Sequence, residues 1–183
     1  LLSGWPVLFF VCFGRMLELG NQDLLKAIIR TVFYSAGTVP VQLSLSLVLA
    51  YILFQDIKGR GLYRVIYFLP YIAPTVATSV VFKRIFSLRD TALANNLIGL
   101  LGLPPLKWLH EAKGVNLVIL DLLNQAFGTN MAWPDIADPL NVILSGPSLA
   151  LVSIIIYNWW VFVGYDTVIY LAGLGAIPHE LYE

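Results

Sequence analysis

Apolar residues run through this chain in long charge-free blocks. The first block, Thr31 to Gln55, contains no charged residue; as a helix it would reach roughly 37 Å, enough to cross a bilayer core of about 30 Å. Its approach is amphipathic: Leu24, Leu25, Ile28, Ile29, Val32 and Phe33 share one helical face, while Asp23, Lys26 and Arg30 lie on the other. That pattern predicts a helix lying in the headgroup region before the chain turns inward. The second block, Val65 to Phe82, is bracketed by Arg64 and by Lys83 with Arg84. At about 27 Å it predicts a span with little tilt. The third runs from Leu149 to about Leu174 with Asp166 as its one ionisable group.

Between the first two blocks lies Asp56-Ile-Lys-Gly-Arg-Gly-Leu-Tyr-Arg64. Short basic loops stay on the cytoplasmic side, so the first helix enters the cytoplasm, the second leaves it and the third returns. Lys83, Arg84 and Arg89 fall on the far side, at the head of a long connection that carries little weight in the charge rule. That connection, residues 83–147, holds two apolar patches, Leu93–Leu103 and Val115–Phe127, both too short to cross. Pro104-Pro105, Pro134, Pro139 and Gly146-Pro147 punctuate it. It reads as an external cap with one or two short helices, or with a re-entrant segment at Val115–Phe127. The expected fold is all-α: a polytopic membrane helix bundle with spans at about 31–55, 65–82 and 149–174.

Composition agrees. Of 183 residues, 58% are hydrophobic and 12% charged, with mean hydropathy +0.79, against about 25% charged in soluble domains. Zero net charge argues against nucleic-acid binding. Cys12 has no partner cysteine. Trp5 to Phe13 lacks the basic flank and cleavage pattern of a signal peptide and is too short to span. With Leu1 at the start and Glu183 in what reads as a helix start, the sequence is expected to be a fragment.

Enzymatic constellations are absent from the sequence. His110-Glu111 opens like a zinc-protease helix, but Gly114 stands where the second histidine is needed. His179 is the other histidine, on the opposite side by this topology. Gly59-Arg-Gly61 lacks the strand and third glycine of a dinucleotide loop, and there is no nucleophile elbow. Asp121, Asp135 and Asp138 have the spacing of turns and solvation.

Breakers and polar groups inside the spans are more informative. Pro70 and Pro74 share a face of the second block, each freeing a carbonyl one turn earlier, at Ile66 and Pro70. In lipid those carbonyls need partners, and Thr75, Thr78 and Ser79 are candidates. Gly37, Pro40, Gln42, Ser44 and Ser46 mark the first span; Tyr157, Asn158, Trp159 and Trp160 mark the middle of the third. Helix packing uses such residues routinely. As a group they also suit a polar path through moving helices, with Gln42, Pro70, Pro74, Thr78, Asn158 and Trp160 as its candidate lining. Tryptophan faces can stack on sugar rings. Asp166, an intramembrane carboxylate, fits a functional or a hydrogen-bonded structural role.

The most specific signal is Gly164-Tyr-Asp-Thr-Val-Ile-Tyr-Leu-Ala-Gly-Leu-Gly-Ala-Ile-Pro-His-Glu-Leu-Tyr-Glu183. Gly173 and Gly175 loosen the end of a span, Pro178 suits a first helical position, and Glu180 and Glu183 complement a helix N-terminus. A short second helix is thus expected over 176–183. This stretch, with Gly-Arg-Gly-Leu-Tyr-Arg64 running into Val-Ile-Tyr-Phe-Leu-Pro70, Ala94-Asn-Asn-Leu-Ile and Trp108-Leu, resembles the permease subunits of binding-protein-dependent ATP-binding cassette importers, in their sugar and glycerol-phosphate branch. Two departures stand out: the chain stops at the first residue of the family's Glu-Ala-Ala signature, and the external stretch Glu111–Pro147 is longer than expected.

The resemblance implies a non-catalytic permease in the cytoplasmic membrane, translocating a small carbohydrate. Pro178, Glu180, Leu181, Tyr182 and Glu183 would begin a coupling helix docked on the ATPase. Implied partners are ATPase subunits, a second permease subunit, an extracytoplasmic solute-binding protein and the bilayer, with ATP and Mg bound by the ATPase and no cofactor by this chain. A polytopic membrane enzyme using the external cap, or a non-transporting scaffold, stands as the alternative.

Overall fold

The computed structural model describes residues 11, 14–15, 22–55, 58–100, 102–133 and 140–178. Its elements are helical throughout: α1 (Gln22–Phe54), α2 (Arg60–Ile72), α3 (Thr75–Ile85), α4 (Leu93–Gly99), a 3-10 turn at Trp108–His110, α5 (Val115–Phe127), α6 (Leu140–Ser145) and α7 (Leu149–Gly175). Among the described residues, two helices are long and apolar enough to cross a membrane, Asp23–Phe54 and Leu149–Gly175; α2 and α3 together make a third if the bent pair is one span. In each long helix only 22% of the apolar window is buried, which leaves most of the surface for lipid or other helices. The chain is an integral membrane protein of the all-α class.

The chain forms two compact units, one from the part up to Phe33 with Lys113–Ser148, the other from Tyr34–Ala112 with Leu149 onward. In the first, α5 and α6 face each other across a close approach. Asn116 Nδ2 donates to the Leu144 carbonyl at 2.7 Å, and the Val115 amide to the Pro147 carbonyl at 2.9 Å. A Cβ on Gly114 would fall 2.1 Å from the Ser145 carbonyl oxygen, so glycine is required there. Asp121 pairs with Lys113 at 2.9 Å, both more than half exposed, and such a pair contributes little.

In the second unit, contacts between α1 and α7 advance together along both helices: Thr38 meets Trp159, Ser46 meets Val163 and Thr167, and Ala50 with Leu53 packs on Leu171. The two helices are therefore parallel. The α2–α3 pair runs the other way, with Tyr71 against Tyr165 and Thr78 against Tyr157.

Three expectations need correction. No turn separates the amphipathic approach from the first span, because α1 is continuous over Gln22–Phe54 and takes Pro40 inside it. The stretch read as one span with little tilt, interrupted by Pro70 and Pro74, is two helices meeting at 96°. The cause is local. The ring of Pro74 disfavours the helical region for the preceding residue, and Ala73 has φ −64°, ψ 144°. Pro74 itself is extended, at ψ 127°. Third, the described residues of 83–147 hold three short α-helices and a 3-10 turn, more than the one or two expected.

Candidate functional site

Four-residue spacing puts Thr38, Gln42 and Ser46 on one face of α1, and that face meets α7. Gln42 is the centre of the seam. Its Nε2 donates to the Asp166 carboxylate, and its Oε1 accepts from Asn158 Nδ2 at 3.1 Å. Asn158 and Asp166 are eight residues apart on α7, so one glutamine bridges two turns. Below it, Ser46 Oγ donates to the Gln42 carbonyl at 2.7 Å and lies 3.2 Å from the Val163 carbonyl. Thr167 Oγ1 donates to that same carbonyl at 2.6 Å. Above it, Trp159 Nε1 donates to the Thr38 carbonyl at 3.3 Å. Thr38 is 4% exposed, and its hydroxyl has no partner among the described residues. Interhelical hydrogen bonds in membranes contribute about 0.6 kcal/mol each, so the seam chiefly fixes register.

Pro70 and Trp160 meet elsewhere, on a mostly apolar groove of about 450 Å³ lined also by Leu45, Tyr67, Ile156, Trp159 and Gly164. Trp160 is 46% exposed there. The wall exists because α2 rests directly on α7: a Cβ on Gly164 would fall 1.8 Å from the Tyr67 carbonyl oxygen. Nearby, Tyr71 stacks on Tyr165 at 4.6 Å and meets Phe162 edge-on at 5.8 Å.

Thr78 is buried on α3 and shares a 2.8 Å hydrogen bond with the Tyr157 hydroxyl. Thr78 and Ser79 were expected to serve the carbonyls freed by the prolines. Instead Thr78 Oγ1 reaches the Thr75 carbonyl at 3.0 Å and Ser79 Oγ the same carbonyl at 2.6 Å. Pro74 marks the break between helices and contributes through the bend. The six candidate path residues thus divide: Gln42 with Asn158 in the seam, Pro70 with Trp160 on the groove, Thr78 with Tyr157, and Pro74 at the corner.

Sequence reasoning missed the Gln42–Asp166 pairing and the contributions of Thr38, Tyr157 and Thr167. The spacing of four in α1 and of eight in α7 was a usable signal. It also missed why Ala94-Asn-Asn and Trp108 go together. Buried Asn95 accepts at Oδ1 from Trp108 Nε1 at 2.8 Å and from the Leu106 amide at 3.0 Å. This places Trp108 edge-on to Phe86, which stacks on Phe82. At the C-terminus, α7 ends at Gly175 and Pro178 is exposed and non-helical. Glu180, Leu181, Tyr182 and Glu183 lie outside the described residues.

No family model matches the chain. Individual relatives do. The chain is 29% identical over 164 residues to the maltose/maltodextrin transport system permease protein MalF of Vibrio vulnificus, covering 89% of itself and 24% of that protein. To the lactose transport system permease protein LacF of Rhizobium radiobacter it is 29% identical over 174 residues, 93% of itself and 46% of the relative. To the arabinooligosaccharides transport system permease protein AraP of Bacillus subtilis it is 26% identical over 176 residues, 95% and 45% respectively. The chain spans between a quarter and a half of the length of these relatives. It is similar to permease proteins of sugar-transport systems, which its own motifs also resemble.

Proposed function

We propose that this chain is part of the permease subunit of an ATP-driven importer, translocating a sugar or related carbohydrate across the cytoplasmic membrane. The observation that carries the reading is the hydrogen-bonded chain Asn158–Gln42–Asp166 inside otherwise apolar spans of a sugar-permease homologue. Amide and carboxylate groups in lipid are expensive. They can exchange partners with sugar hydroxyls, and Trp160 with Pro70 offers an apolar face on a separate groove. The broken α2–α3 pair supplies an element able to change shape. The short basic loop before α2 supports a cytoplasmic side for the ends of α1 and α7. There Pro178, Glu180, Leu181, Tyr182 and Glu183 would meet an ATPase subunit that binds ATP and Mg. A second permease subunit and an extracytoplasmic solute-binding protein complete the assembly. This chain itself performs no catalysis and holds no cofactor.

The test is ATP hydrolysis by the full-length permease, reconstituted with its ATPase and binding protein, against a panel of sugars. One sugar should stimulate hydrolysis, and Asn158→Ala should cut that stimulation about tenfold or more, the loss of one strong hydrogen bond to a solute, while membrane insertion persists. Hydrolysis indifferent to every sugar, in an assembly that forms normally, would defeat the reading.

A further inference from the structure

Three cations left over from the span pattern come together in space. Lys83 and Arg84 in the last turn of α3, and Arg89 in the loop that follows, line a cleft of about 430 Å³ with Ser87 and Thr91. All three cations are exposed, and none forms an ion pair among the described residues. Asp90 is next in sequence to Arg89, but it does not line the cleft. Two basic residues at a helix C-terminus would by themselves only offset the dipole. A third cation and two hydroxyls lining the same cleft make a pocket for an anion.

What kind of anion is set by the wall below. Val80 lines the cleft, and Val76, Val80 and Arg84 follow one another at four-residue intervals on one face of α3. Val76 is 79% exposed and Val80 54%. An apolar strip one to two turns long thus leads into a cationic pocket at the end of a membrane helix. That order of chemistry matches an amphiphile with acyl chains beneath an anionic head.

We propose that Lys83, Arg84 and Arg89 form a binding site for the headgroup phosphate of an anionic phospholipid, whose chains lie along Val76 and Val80. Ser87 and Thr91 donate hydrogen bonds to the remaining phosphate oxygens. The site needs only that α3 lies in the bilayer and is independent of the transported solute. It also explains three cations beside a span on the side that the charge rule leaves sparse.

The protein in phosphatidylcholine nanodiscs, with and without phosphatidylglycerol, provides the test. Native mass spectrometry should find phosphatidylglycerol retained after delipidation. Each of Lys83→Gln, Arg84→Gln and Arg89→Gln should weaken retention about fivefold, with helical circular dichroism unchanged. Val80→Ser should weaken retention of the lipid while leaving binding of inorganic phosphate unaffected. Equal retention by wild type and all three glutamine variants would overturn the site. So would inorganic phosphate competing at millimolar concentration as well as the lipid does, which would assign the cleft to a free anion. Protection of the three cations from chemical modification only when a partner protein is added would assign it to a protein carboxylate, and the lipid site would fall. If a variant fails to fold, a spin-labelled phosphatidylglycerol on the wild-type protein decides. Its immobilised fraction should exceed that of spin-labelled phosphatidylcholine, and equality would sink the proposal.

Discussion

Gly164 and Gly173 sit on the same helix and illustrate how local context sets the sign of a substitution. A Cβ on Gly164 would lie 1.8 Å from the Tyr67 carbonyl oxygen and 2.5 Å from its carbon, both backbone atoms that cannot rotate away. Gly164→Ala must therefore lift α2 off α7, a misfit worth about 1–3 kcal/mol. At Gly173 nothing lies within 4 Å. Gly173→Ala should be neutral or gain up to about 1 kcal/mol of helix propensity. Thermal unfolding in detergent should show Gly164→Ala several degrees below wild type and Gly173→Ala at or above it. Equal midpoints would mean that α2 and α7 do not touch as described. Such a contact leaves no mark in a single sequence, where both positions are glycines in an apolar span. The seam was half legible: Gln42, Asn158 and Asp166 each stood out as polar groups in lipid. Joining them required knowing that α1 and α7 run side by side in the same direction.

The bend between α2 and α3 was legible as a break and illegible as an angle. A proline disfavours a helical residue before it and lacks an amide hydrogen of its own. Where the freed ends then point depends on Thr78 and Phe82 packing against Tyr157 in the N-terminal half of α7. With Ala at position 74 both local restraints disappear, and in lipid the Pro70 carbonyl gains a new amide partner. The opposing Thr78–Tyr157 hydrogen bond is worth only about 0.6 kcal/mol. Spin labels at Leu62→Cys and Val81→Cys, in a Cys12→Ser background, report the outcome. Across a 96° bend the two backbone sites stand about 19 Å apart; on a straight helix they stand about 29 Å apart. Pro74→Ala should add a population near the longer distance that the parent protein lacks. An unchanged distribution would show that tertiary packing alone imposes the corner. The short helices of the connection were less legible, because α4 and α6 have seven and six residues. At that length hydrophobic periodicity has no room to declare itself.

Two parallel membrane helices adjacent in one unit constrain everything between them. The chain leaves α1 on one face of the bilayer and must begin α7 on the other, so one crossing is needed between Phe54 and Leu149. α5 has 13 residues, about 20 Å of helix, and cannot supply it. The bent α2–α3 pair is the remaining described apolar segment, and its contacts advance antiparallel to α7 from Tyr165 to Tyr157. We infer that the pair crosses as one broken span, because a re-entrant loop would return the chain to the face on which α1 ended. On that reading Lys58 and Ala176 lie on one face of the bilayer and Leu88 on the other. With the basic loop inside, a membrane-impermeant maleimide applied to spheroplasts should label a cysteine at Leu88. Cysteines at Lys58 and Ala176 should react only after permeabilisation. Lys58 and Leu88 labelling together would mean that the pair dips in and returns, and that α1 and α7 cannot both cross in the direction their contacts require. Ala176 labelling from outside would be more damaging still. The segment 179–183 would then face away from any cytoplasmic ATPase, and the importer proposal would lose the lever through which hydrolysis reaches the spans.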